Sequence, residues 1–169
     1  LGIILKDLGK LEEAEISTSK AIELKPDFAE AHSNLGTILK DLGKLEDAEL
    51  SYRKAIEIKP DYADAHSNLG NILSDLGKLQ DAFDSYVKAI DINPKNSNIY
   101  GSITTFLRDS DLSKLNKPKL KNILNILLKK NDLNHKELVK AFNFLYRNQI
   151  TSNLERIDYD FSEIELLVN

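Results

Sequence analysis

At 169 residues, 41% of them apolar, the chain has enough material for a buried core, and without cysteine it holds neither a disulfide framework nor a thiolate metal site. The net charge of −4 is unevenly spread: residues 1–96 carry 12 Lys and Arg against 18 Asp and Glu, residues 97–169 carry 11 against 9. Neither part has the basic stripe of a nucleic-acid binder, and the longest apolar cluster, Ile123 to Leu128, is far too short to span a bilayer.

A fixed step of 34 residues organises the chain from its start. Gly2, Gly36 and Gly70 keep it, as do Leu1/Leu35/Leu69, Leu5/Leu39/Leu73, Gly9/Gly43/Gly77, Ala14/Ala48/Ala82, Ala21/Ala55/Ala89 and Pro26/Pro60/Pro94. So many residue types in one register mark a stacked helical repeat. Leu1 to Leu8 reads as the tail of a first helix stopped at Gly9, and Gly43 and Gly77 are the matching stops, because a glycine past a helix end takes the left-handed conformation at little cost. Second helices follow over about 11–25, 45–59 and 79–93, each closed by a proline that removes a backbone donor. The next first helix is expected to open on a capping pair, Asp27 with Glu30 or Asp61 with Asp64. Gly36 with Ala48, and Gly70 with Ala82, fall where the two helices of a repeat cross, and Leu35, Leu39, Tyr52, Ala55 and Ile56 form the apolar stripe that neighbours bury.

A fourth, worn copy runs from Ser97. Tyr100, Ile103, Leu107 and Asp109 keep the register, whereas Thr104 and Asp111 replace its two glycines. Its second helix is expected after Asn116, since Pro118 is tolerated only in a first turn. Beyond Lys130 the register is lost. Asn134 with Glu137 marks a further helix start, Leu138, Ala141, Phe142 and Leu145 its buried side to about Gln149, Thr151 to Asp158 a connection, and Asp160 with Glu163 a last helix. The predicted organisation is a partial repeat at 1–28, repeats at 29–62 and 63–96, a degenerate pair at 97–130 and a helical cap over 131–169. With no Met, a start on Leu1 inside a helix and an end on Ile164 to Asn169, the sequence reads as a fragment of a longer, cytoplasmic protein.

These residues, over roughly 1–96, resemble the tetratricopeptide repeat (TPR) family. The resemblance implies an all-α fold, a right-handed superhelix of antiparallel helix pairs (an α-solenoid) whose first helices line a concave groove. The wording Ala63-Asp64-Ala65-His66-Ser67-Asn68-Leu69-Gly70-Asn71, preceded by Ser51 to Tyr62, is similar to the TPR arm of O-linked N-acetylglucosamine transferases, and by that resemblance Asn34 and Asn68 match its asparagine row. A TPR subclass that clamps peptide carboxylates uses Lys and Arg on its first helices; here those slots hold Ser33, Thr37, Ser67 and Asn71.

The candidate site is therefore a peptide-binding groove. Asn34 and Asn68 share one slot, Ser33/Ser67 and Thr37/Asn71 fill in between, and Asp41, Asp75 and Asp109 form a row beside Lys6, Lys40 and Arg108. A side-chain amide both donates and accepts, so an asparagine row can hold an extended backbone. Rungs roughly 10 Å apart would match about three residues of extended chain. The bland reading is a solvated helix face, or repeats copied too recently to differ.

Enzymatic signatures are missing: no phosphate-binding loop, no dinucleotide fingerprint, no nucleophile elbow. His32 and His66 occupy equivalent slots and read as packing residues rather than metal ligands, and no cofactor is implied. The lysines at 114, 117, 119, 121, 129 and 130 read as a solvated face. Three functions stay open: a non-enzymatic module that binds a protein or peptide in the groove, with no nucleic acid and no membrane involved; the substrate-recruiting arm of a larger transferase; and a homo-oligomer formed by end-stacking.

Overall fold

The computed structural model describes residues 1–130, 133 and 135–154, with side chains through Arg147. Two compact units divide the chain, Leu1–Ile99 and Tyr100–Asn169. The fold is an all-α solenoid, and the described residues contain no strand.

The first unit holds α1 (Gly2–Asp7), α2 (Leu11–Leu24), α3 (Ala29–Asp41), α4 (Leu45–Ile58), α5 (Ala63–Asp75) and α6 (Leu79–Ile92). Within each repeat the turn is a glycine stop. Gly9, Gly43 and Gly77 have φ of 74°, 75° and 73°, the positive values found among the described residues. Around Gly43 the amide of Lys44 bonds the Leu39 carbonyl and the amide of Gly43 bonds that of Lys40, each at 2.9 Å, and the same pair of bonds recurs at Gly9 and Gly77. That arrangement satisfies carbonyls a helix end otherwise leaves open.

The turn between repeats differs from expectation. α3 and α5 start on Phe28 and Tyr62 as N-caps, with no side-chain cap bond, so the Asp27/Glu30 and Asp61/Asp64 capping pairs do not form. The start is held instead by the ring above the turn. His32 Nε2 and His66 Nε2 bond the carbonyls of Pro26 and Pro60, each at 2.9 Å, which pins the first helix to the loop before it. Lys25 and Lys59 lie over the Phe28 and Tyr62 rings, 5.1 and 4.8 Å from their centres.

Helices pack in order: α1 on α2, α3 on α4 and α5 on α6 inside repeats, α2 on α3 and α4 on α5 between them. The glycine at each crossing admits a ring. A Cβ on Gly36 would stand 2.9 Å from the Tyr52 ring, and one on Gly70 2.8 Å from Tyr86; both tyrosines are buried. Ala48 and Ala82, the small residues expected at the same crossings, are fully buried. Ion pairs join successive second helices to the following turn: Lys44 to Glu15 at 2.8 Å and Lys78 to Glu49 at 2.6 Å. Burial pushes the Glu49 carboxyl up, but Lys78 and Arg53 outweigh it and hold the group below its ordinary value.

α7 (Ser97–Asp109) begins at the end of the first unit and runs into the second, which also holds α8 (Lys117–Leu127) and α9 (Val139–Leu154). Without a glycine at 111, the chain leaves α7 differently: Asp111 accepts from the amide of Ser113 and opens a short 3-10 turn, Leu112–Lys114. Asn116 caps α8 through the amide of Lys119 at 3.0 Å, with Pro118 in the first turn. Ile103, Leu107, Leu120, Ile123, Leu124, Leu127, Leu138 and Ala141 are buried here. Lys140 Nζ donates to the carbonyls of Arg108 and Ser110, at 2.9 and 2.6 Å, closing the end of α7. A second 3-10 turn, His135–Leu138, precedes α9, and α9 runs through Leu154, so the expected connection does not begin at Thr151. Asn134, Asp160 and Glu163 lie outside the described residues.

Candidate functional site

The first helices of the repeats meet one another as well as their partners. α1 touches α3 and α3 touches α5, whereas successive second helices make no comparable contact. The repeat register places Asn34, Thr37, Lys40 and Asp41 on α3 and Asn68, Asn71 and Asp75 on α5.

These residues divide by what already holds them. Asn34 and Asn68 are half-buried, and their amides make no hydrogen bond among the described residues. Thr37 and Asn71, in the next slot, are held from behind. Thr37 Oγ1 lies 2.9 Å from the Tyr52 hydroxyl and donates to the Ser33 carbonyl at 3.2 Å. The Tyr86 hydroxyl donates to Asn71 Oδ1 at 2.7 Å, leaving the amide N–H groups of Asn71 uncommitted to that bond. Burial raises the pKa of both phenols, so the hydroxyls stay protonated. Asp75 adds to the rise at Tyr86, which places its charge close behind the ring.

Ser33 and Ser67 are a correction. They are 5% and 7% exposed, so their hydroxyls do not reach a ligand. Ala29, Ser33 and Gly36 recur at steps of four and three, as do Ala63, Ser67 and Gly70, and every one of them is buried. The serines belong to the small-residue stripe on which the second helix packs.

Charged candidates are partly paired. Lys6 on α1 reaches Asp7 at 3.5 Å and, across to α3, Asp41 at 3.8 Å. That bridge joins two first helices on one side. Lys40 and Asp75, one repeat further, are exposed and form no ion pair among the described residues. Arg108 and Asp109 belong to the second unit and bond each other, Nε to Oδ1 at 2.8 Å, with Glu137 at 3.5 Å from the same guanidinium. Their pairing lowers the Asp109 carboxyl and raises Arg108.

A cavity of about 570 Å³ opens elsewhere on the first unit, among α4, α5 and α6, lined by residues that include Arg53, Ile56, His66, Leu69, Leu73 and Lys88. None of the candidate groove residues borders it. Its lining combines buried core, Leu69 and Leu73, with charged side chains, among them Lys88 and Arg53, which is bonded to Glu49. Among the described residues no three His, Asp or Glu stand close enough to share a metal ion, and no helix is long and apolar enough to cross a membrane.

Comparison with known proteins gives the following. Family models described as "TPR repeat" match residues 2–43 and 36–77, and one described as "Tetratricopeptide repeat" matches 63–96, so that together they span more than half of the chain. No curated protein matches it. Among solved structures, the first TPR of Spaghetti (RPAP3), bound to the HSP90 peptide SRMEEVD, is 23% identical at a TM-score of 0.60, over 62% of this chain and 83% of that one. MamA is 24% identical at 0.61, over 88% and 77%. A mutant O-GlcNAc transferase of Thermobaculum terrenum is 21% identical at 0.63, over 74% of this chain but 24% of the enzyme. At these identities the likeness is one of fold.

Proposed function

Since the chain belongs to the tetratricopeptide repeat family, we propose that it is a protein-interaction module whose first helices hold an extended peptide segment along their inner face. One observation carries this: Asn34 and Asn68, a repeat apart on neighbouring first helices, have amides with no hydrogen-bond partner among the described residues. A half-buried amide left unpaired is costly unless water or a ligand completes it, and a peptide backbone offers both a donor and an acceptor. Thr37 and Asn71, steadied by buried tyrosines, are the second line of contact. Lys40 and Asp75 supply charge at one edge. The peptide of the Spaghetti complex is acidic, whereas residues 1–96 here carry a net −6 and the clamp slots hold Ser33, Thr37, Ser67 and Asn71, which favours a ligand other than a carboxylate terminus. Affinity comes from many modest contacts on a preformed surface.

A peptide-array screen of the wild-type chain against Asn34→Ala/Asn68→Ala tests it. Loss of most array signal in the double variant, with helicity unchanged, is the expected result. Equal binding by both proteins removes the asparagine contacts from the account.

A second reading has its own support. The match to a transferase over a quarter of that enzyme's length, together with the residue wording around Asn68, supports a reading of this chain as a substrate-recruiting arm of a larger transferase. A catalytic domain in the same reading frame would establish it, and a complete frame lacking one would remove it.

A further inference from the structure

The second helices of the first unit carry a row that the groove reading leaves unused. Ile16 on α2 and Leu50 on α4 stand in the same slot of successive repeats and are 70% and 67% exposed. Two residues earlier in each helix, Ala14 and Ala48 are fully buried, so the exposed pair points away from the packed side. One exposed aliphatic is ordinary on a protein surface, but two in register on successive repeats form a row that burial against a partner would favour.

Charge is ordered about Leu50. Glu46 and Asp47 lie four and three residues before it, Arg53 and Lys54 three and four after, and all are exposed. Acids early and bases late suit the helix macrodipole, which accounts for their order but not for the aliphatic side chain set between them. Laying a second α4 end for end on the first, with Leu50 at the two-fold, uses both features. The steps of three and four then bring Glu46 beside Arg53 of the second copy and Asp47 beside Lys54 of the second copy, and the symmetry repeats both pairs. Arg53 and Lys54 already hold Glu49 and Glu57 of their own helix, each at 2.8 Å, yet their side chains stay about half exposed with donors to spare. Glu46 and Asp47 form no ion pair among the described residues.

α2 follows the same plan with fewer charges, Glu12 and Glu13 before Ile16 and Lys20 after it. α6 breaks the plan, because Asp84 holds the central slot and would face its own copy. We propose that this face of α2 and α4 docks a second copy of the chain in antiparallel fashion, α2 on α2 and α4 on α4, with Ile16 and Leu50 at the contact. The aliphatic row supplies the apolar centre and the flanking charges fix the direction. None of the groove residues takes part, so failure of this contact leaves the peptide reading standing.

Sedimentation of the full chain over rising concentration tests it. The wild-type mass should climb from 19.1 kDa toward twice that value. Leu50→Asp puts in this slot the residue that α6 already carries there, so the repeat accommodates it. It should weaken the dimer about a hundredfold or more, because a two-fold contact loses the side chain twice. Two charge variants read the direction of pairing. Glu46→Lys/Asp47→Lys and Arg53→Glu/Lys54→Glu should each stay monomeric alone, held apart by like charges, and should pair with each other when mixed. Pairing on mixing also shows that neither variant has simply unfolded. A wild-type chain that keeps the monomer mass up to about 1 mM would overturn the proposal. So would a dimer that survives Leu50→Asp and is lost in Ile4→Asp, since the copies would then stack through α1. Charge variants that stay monomeric on mixing, with wild-type helicity, would overturn it as well.

Discussion

In α3–α4 and α5–α6 a tyrosine ring fills the space that a glycine leaves, and its hydroxyl is taken up by Thr37 or Asn71 on the first helix. The first pair, α1–α2, keeps the glycine but not the rest: Gly2 meets Thr18 in place of a tyrosine, and Ile3 stands where the hydroxyl's partner would be. Thr18 Oγ1 is buried there without a hydrogen bond. Ile4 is 61% exposed, while Ile38 and Ile72 in the same slot are fully buried. The repeat backbone therefore forms with or without the ring. What the ring adds is a fixed hydrogen-bond partner for a polar side chain of the first helix, Thr37 or Asn71.

The largest effect should come from removing a ring. Tyr86→Ala is expected to cost about 3–5 kcal/mol in urea unfolding, whereas Tyr86→Phe, which keeps the ring and orphans Asn71 Oδ1, should cost about 1 kcal/mol. Equal losses would mean that the hydroxyl, not the ring, supports the pair. Closing the notch comes next. Gly36→Ala pushes a methyl into the Tyr52 ring and should cost about 1–3 kcal/mol. Gly101→Ala, in the interior of α7 with nothing within 4 Å of the new methyl, should instead gain up to about 1 kcal/mol. In the first pair, too, a substitution should stabilise. Thr18→Val exchanges an unsatisfied hydroxyl for a methyl and should stabilise the chain by about 1 kcal/mol; a loss would show that the hydroxyl has a partner in solution.

The smallest effect is in pH. Burial, aided by Lys88 and opposed by the Pro60 carbonyl, holds the His66 ring below its ordinary value of 6.5. A depressed folded value means that the unfolded chain takes up the proton first, so this stability is complete above pH 6.5 and is lost as pH falls through the lower folded value. Melting should drop by a few degrees more in the wild type than in His66→Gln between about pH 7.5 and 5.5. An equal drop would place the titration elsewhere.

Helix positions were legible because glycine and proline punctuate the chain at a strict step, and backbone geometry leaves each little freedom. The starts of α3 and α5 were not, since Asp27 and Asp61 have the chemistry of caps while the chain turns one residue later, at Phe28 and Tyr62. Ser33 and Ser67 were placed in the groove because polarity alone was read; their spacing with Ala29 and Gly36 was the signal that they are packed. Tyrosine's hold on the first helix joins residues 15 apart on different helices, and neither the 34-residue step nor helical periodicity points to it.

The inner face is tested most directly by titrating the isotope-labelled chain with a peptide drawn from the array and following side-chain amides. Signals of Asn34 and Asn68 should move in step with binding, joined by the amide of Asn71. If they stay in place while the backbone around Arg53, His66 and Lys88 shifts, the peptide lies in the cavity among α4, α5 and α6, and the inner face is not the binding surface.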